Sequence, residues 1–219
     1  MFAIRYKWYF LYICKSSNIC YMQTKDNRGD KSKYEIIEYD YNNISSADKC
    51  LLDDLLHSVW SDTDTAEIHP REMNAMSFCA VVNNIFVGYA GVITWNICVQ
   101  DETFNMCGLS CVCTRPSYRK NGIGSGLVKK ATGWIMQSGN LDVGLFTCSQ
   151  EDTPFYENIG SWKSVSGLVL KESNRKGAYR SDMMGLNVFK LLVSHKARLY
   201  ANYFENGIIT LNFPEGKFI

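Results

Sequence analysis

The sequence lacks a charge of one sign. Its 23 Lys and Arg stand against 22 Asp and Glu, and so balanced a chain projects no field that would draw it to nucleic acid or to an anionic membrane. Any anion site must be local. Long apolar runs are missing as well. The run from Trp8 to Cys14 follows Arg5 and Lys7, but it is too short for a secretory signal and no small-residue cleavage site follows it. No other stretch approaches the ~20 apolar residues that span a bilayer. Disulfide and zinc-ribbon spacings are also absent, because the nine cysteines include no Cys-x-x-Cys pair. Reduced thiols and a cytoplasmic location are expected instead. Histidine is scarce, and His57, His69 and His195 show neither ligand nor triad spacing, so each reads as a structural or surface group.

What is present is ordinary globular composition, 46% hydrophobic and 21% charged over 219 residues, enough for one domain with a substantial core. Lys25 to Lys33 is a polar stretch, which makes residues 1–33 an expected N-terminal extension and linker and residues 34–219 the expected folded domain. Cys107, Cys111 and Cys113 fall close together, and in a strand the last two share a face. They read as small core hydrophobes or as metal ligands; the overall expectation is that no metal is bound.

The order of elements follows from periodicity and punctuation. Ser45 and Asp48 form a capping pair ahead of Leu51, Leu52, Leu55, Leu56, Val59 and Trp60, which recur at helical steps. Phe78 to Val82 and Ile85 to Ile93 are β-rich runs joined by Asn83-Asn84, a pair suited to the positive φ of a hairpin turn. A strand through Met106 to Thr114 should stop at Arg115-Pro116, since proline cannot donate to a ladder. A helix follows through Leu127, Ala131, Trp134 and Ile135 and stops at Gly139. Val143 to Cys148 reads as a buried strand, and Thr153-Pro154 as an N-cap and first helical residue ahead of a short helix ending at Gly160. Strands are expected over Trp162 to Leu170, Met183 to Val188 and Gly207 to Phe213, with a turn at Asn174 to Gly177. An antiparallel hairpin followed by strand, helix, strand, helix implies a mixed α/β sheet.

The chemistry lies between Thr114 and Leu127, in the order Thr-Arg-Pro-Ser-Tyr-Arg-Lys-Asn-Gly-Ile-Gly-Ser-Gly-Leu. Glycines before a helix let backbone N–H groups approach an anion, the helix N-terminus adds partial positive charge, and Arg119 and Lys120 add whole charges. A phosphate-bearing ligand is the natural occupant. A P-loop would require Lys followed by Ser or Thr after the last glycine, and a dinucleotide fingerprint would place Gly or Ala at Leu127.

The pattern Arg119-x-x-Gly122-x-Gly124, after a strand and opening a helix, resembles the acetyl-CoA signature of the GNAT superfamily of N-acetyltransferases. Phe155-Tyr156-Glu157-Asn158-Ile159-Gly160 after the Val143 to Cys148 strand is similar to the second signature helix of that family. The resemblance implies an α/β fold with a mixed, mostly antiparallel central sheet flanked by helices, and direct acetyl transfer from acetyl-CoA to a primary amine of a small molecule. It implies that the backbone of Val112, Cys113 and Thr114 pairs with pantetheine and polarises the thioester carbonyl. Arg119, Lys120, Asn121, Gly122, Ile123 and Gly124 would hold the pyrophosphate, and Tyr156 would protonate the departing thiolate. Ser110, Cys111, Thr147 and Glu151 are expected at the acceptor.

An amine of lysine type has a pKa of about 10.4, so deprotonating it at pH 7 costs roughly 4 to 5 kcal/mol, yet Ser110 stands where some family members carry glutamate. Glu151 and Asp152, or a water chain, are the remaining bases. His69-Pro70 to Met76, the Thr147-Cys148-Ser149 strand end and a short final strand resemble the aminoglycoside 2'-N-acetyltransferase branch, although Lys217 stands near the position where that branch implies an acid. An antibiotic-modifying enzyme and a non-catalytic acetyl-CoA-binding module are the alternatives, and a homodimer is left open.

Overall fold

A computed structural model describes residues 33–60 and 68–219. The polar stretch and the apolar run expected before residue 33 lie outside the described residues. Among the described residues nine strands and four α-helices run in the order β1 Glu35–Asp40, α1 Ser46–Val59, β2 Met76–Val82, β3 Ile85–Val99, β4 Glu102–Thr114, α2 Ile123–Gln137, β5 Val143–Cys148, α3 Thr153–Ile159, β6 Lys163–Val165, β7 Gly167–Lys171, β8 Asn187–Leu192, α4 His195–Leu199 and β9 Asn206–Thr210.

Seven strands form one sheet in the order β1-β2-β3-β4-β5-β8-β6, and β7 and β9 form a separate parallel pair. Every pairing in the large sheet is antiparallel except that between β4 and β5. The mixed, mostly antiparallel sheet flanked by helices is therefore present. No helix among the described residues is long and apolar enough to cross a membrane.

Local chemistry accounts for most boundaries. Ser45 Oγ accepts from the Asp48 N–H at 3.1 Å and donates to the Asp48 carboxylate at 2.7 Å, a reciprocal cap that starts α1 and turns Leu52, Leu55 and Leu56 into the core. Asn83 and Asn84 both adopt positive φ, 50° and 61°, the two-residue turn that matches strand twist between β2 and β3. From Phe86 to Ile93, β3 is buried without interruption, as a central strand covered on both faces must be.

Four expectations are corrected in the second half. Asp152, not Thr153, is the N-cap of α3, and the Ser149 hydroxyl accepts from the Asp152 N–H at 3.1 Å. Trp162 to Leu170 is not one strand. Trp162 instead stands over Gly144 and donates from its indole to Thr132 Oγ1 at 2.9 Å, and the chain turns at Ser166 so that β6 and β7 join different sheets. Asp182 pairs with Arg180 inside a turn that delays the next strand until Asn187. The last strand ends at Thr210, and the residues to Phe213 run beside it as irregular chain. Strand β1 and helix α4 carry no sharp periodicity and were not among the expected elements.

Candidate active site

Strands β4 and β5 are hydrogen-bonded only through the pairs Met106 with Val143 and Cys107 with Gly144; beyond Gly108 they part. On its other edge β4 is also irregular. Cys113 faces Tyr89 and Ser110 faces Gly91, so Cys111 and Val112 together stand opposite Ala90 alone. This bulge turns Cys111 to φ 53° and breaks the alternation that would have put Cys111 and Cys113 on one face. Cys107 and Cys113 are buried in the core, and burial pushes both thiols up. Among the described residues no group of three or more His, Cys, Asp or Glu could hold a metal ion.

Where the strands part there is a cavity of about 320 Å³, lined from the β4 side by Leu109, Ser110, Cys111 and Val112 and from the β5 side by Phe146, Thr147, Cys148 and Ser149. Asp152 and Tyr156 reach it from α3. Glu151 is exposed on the preceding turn and is not part of the lining, because the Ser149 and Asp152 cap directs Asp152 rather than its neighbour inward.

The glycine loop lies just past the end of β4. Arg119 folds back to donate from Nε to the Thr114 carbonyl at 3.1 Å, and Asn121 donates to the Tyr118 carbonyl at 3.2 Å. Lys120 and Gly122 take positive φ, 65° and 75°. No side chain caps the N-terminus of α2, so its first N–H groups are available to a ligand. Ile123 is core. A Cβ on Gly124 would lie 3.4 Å from both Phe155 Cζ and Thr114 Oγ1, so any larger side chain must displace the loop or α3.

Tyr156 is packed among Phe146, Phe155 and Phe189, with ring centroids at 4.7, 4.9 and 5.7 Å. Burial raises the phenol well above its ordinary value, and neighbouring Cys148 and Asp152 add to the shift. The group is protonated at neutral pH.

His69 is the cavity residue whose position sequence reasoning missed. It is buried, lies 2.9 Å through Nε2 from the Tyr89 hydroxyl, and that hydroxyl lies 2.9 Å from Ser77 Oγ. Gly91 leaves the room: a Cβ there would come within 2.6 Å of the imidazole. A glycine inside a buried strand signals such a close approach, and it is the one clue that the sequence offered.

Burial first, and the charge of Lys217 second, push the imidazole down from 6.5 to about 3. His69 is therefore neutral at rest and a weak proton acceptor. Because the folded value is depressed, its stabilising contribution is complete above about pH 6.5 and declines as only the unfolded chain takes up a proton between 6.5 and 3. Thermal melts are expected to show that His69→Asn removes about 1 kcal/mol of the stability difference between about pH 7 and about pH 5.5. An identical pH slope in both proteins would mean that the imidazole takes up its proton in the fold as readily as in the unfolded chain.

The family description acetyltransferase (GNAT) family matches residues 45–160, the stretch that carries the parted strands, the bulge and the glycine-led helix. The chain belongs to that family. It is accordingly an acyltransferase, with the parted strands as its candidate active site. ElaA of Escherichia coli has a similar fold, at 13% identity and a TM-score of 0.52 over 73% of this chain and 99% of that one. An aminoglycoside 6'-N-acetyltransferase solved with coenzyme A is similar at 18% identity and a TM-score of 0.51, covering 72% of this chain and 97% of that one. No curated protein matches the sequence.

Proposed function

We propose that the enzyme transfers an acetyl group directly from acetyl-CoA to a primary amine of a small molecule, and that residues 34–219 form the domain that does so. The observation that carries this reading is the parting of β4 and β5 between an uncapped helix N-terminus and a buried phenol. The N–H groups at the start of α2, with Arg119, Lys120, Asn121, Gly122, Ile123 and Gly124, suit a pyrophosphate. The bulged backbone from Cys111 through Val112 to Cys113 and Thr114 offers polar groups to a pantetheine arm and to a thioester carbonyl. Aligned donors of this kind stabilise the negative charge that grows on that oxygen.

Ser110, Cys111 and Thr147 line the same opening and are assigned to the acceptor side. Glu151 is withdrawn from it. Asp152, whose carboxylate accepts from Ser149 Oγ at 2.8 Å, replaces it as the carboxylate within reach of the amine. The boundary at residue 34 is supported by the Tyr34 hydroxyl, which donates to the Gly122 carbonyl at 3.4 Å and so ties the start of the domain to the coenzyme loop. Seven thiols among the described residues are free, which fits a reducing cytoplasm.

Calorimetry tests the reading without an acceptor. Acetyl-CoA is expected to bind the wild type, and Gly124→Trp is expected to weaken it by roughly tenfold or more, about 1.4 kcal/mol, because the indole must displace Phe155 or the loop. Absence of binding by the folded wild type would overturn the assignment of the coenzyme. Mass-spectrometric detection of acetyl transfer across a panel of small amines then identifies the acceptor.

A further inference from the structure

Along β4 the candidate ligand positions fall in a fixed order. The α2 N-terminus lies beyond Thr114, the bulge is at Cys111 and Val112, and Leu109 and Gly108 lead down to the level where β4 and β5 rejoin at Cys107 and Gly144. A thioester held at the bulge, with its phosphates at α2, must direct its acyl chain towards Gly108. That end of the opening is not empty. A main-chain oxygen of Ile219 accepts from the Thr147 N–H at 3.1 Å and also from the Thr147 hydroxyl, in the place where β5 would otherwise have continued its pairing with β4. The isoleucine side chain is buried over Gly108, where an added Cβ would overlap both Ile219 Cδ1 and the Leu145 carbonyl. Room for this plug therefore depends on a glycine at 108.

The segment that delivers Ile219 is itself fixed. The Phe213 N–H donates to the Glu172 carbonyl at 2.9 Å, the Gly216 N–H donates to the Glu172 carboxylate, and the Lys217 N–H donates to the Pro214 carbonyl at 3.1 Å. Ile219 is thus a wall of the cavity, held through its own main-chain oxygen and through the bonds at Phe213, Gly216 and Lys217 that fix the segment before it.

We propose that Ile219 sets the acyl-chain length of the donor, closing the space between β4 and β5 just beyond an acetyl group. This rests on the reading that the opening receives an acyl-CoA. Longer chains must either push the isoleucine off Gly108 or leave the thioester out of reach of the bulge. A pocket distinguishes one methylene by roughly 10-fold to 200-fold, so two added methylenes are discriminated at least at the lower end of that range.

Calorimetry with free coenzyme A, acetyl-CoA and butyryl-CoA tests the proposal on the whole chain. The wild type is expected to bind butyryl-CoA at least roughly tenfold more weakly than acetyl-CoA. Ile219→Ala should abolish that difference, and the milder Ile219→Val should reduce it, while free coenzyme A binds all three proteins alike. The valine variant preserves the test should the alanine variant fold poorly. Equal affinity of the wild type for both thioesters, or an unchanged ratio in a folded variant that still binds acetyl-CoA, would overturn the role of Ile219 and leave the coenzyme assignment standing. Failure of every coenzyme to bind would remove both.

Discussion

Tyr156→Phe is expected to lower kcat by roughly a hundredfold to ten-thousandfold, the usual worth of a lost general acid, with acetyl-CoA affinity and thermal stability close to wild type. The ring is held by Phe146, Phe155 and Phe189, and phenylalanine keeps all three contacts. Burial raises the phenol, and among the described residues no side-chain hydrogen bond contributes to the shift, so removing the oxygen leaves none of them unsatisfied and costs little stability. What is lost is the hydroxyl of a residue that lines the same cavity as Ser110, Cys111 and Val112. As a thiolate departs, a neutral hydroxyl in a poorly solvated place is a donor to the growing charge. Steady-state turnover of the amine found in the panel, together with calorimetry and a thermal melt, separates the possibilities. A folded variant with wild-type kcat would make Tyr156 a packing residue and leave protonation of the sulfur to solvent.

The parts of this enzyme that are local in sequence were legible. The Asn83-Asn84 turn, the Ser45 cap, the proline stop after Thr114 and the glycines at 122 and 160 act within a few residues of themselves, and each marks the boundary that it forms. The family signatures belong to this class, since loop and helix are contiguous. The splay was not legible, because it depends on β4 and β5 ceasing to pair after two residues, a relation between segments that lie far apart in sequence. Nor was the bulge, since Ser110-Cys111-Val112 reads as ordinary strand and its shift appears only against Tyr89 and Gly91. His69 was passed over because its value lies in tertiary placement under Gly91. The strand ends after residue 160 failed for a related reason: Trp162 and Asp182 are held by a helix residue and a neighbouring arginine, which override β propensity.

Glu172→Ala is expected to cost about 3 kcal/mol of stability, or roughly 6 to 12 °C in Tm for a chain of this size, and to loosen the wall formed by Ile219. The carboxylate is fully buried, and burial of that kind persists only where partners replace water. Here one oxygen accepts from the Gly216 N–H, and the other accepts from the Tyr179 N–H at 3.3 Å and from Arg175 Nη2 at 3.1 Å. Arg175 also reaches Glu215 at 3.0 Å and is 42% exposed, so it can return to solvent when the carboxylate is removed. The two backbone donors are fixed in their segments, and an unmet donor out of reach of water costs about 1–3 kcal/mol. Both belong to segments that the acid clasps together: the turn before Tyr179 and the stretch from Phe213 that carries Lys217, Phe218 and Ile219 into the cavity. Release of that stretch should narrow the gap in affinity between acetyl-CoA and butyryl-CoA in the same direction as Ile219→Ala, whereas Arg175→Ala, which leaves both backbone bonds to Glu172 in place, should preserve the gap. A melt unchanged by Glu172→Ala would show that water satisfies the two donors and that the clasp does not hold the wall.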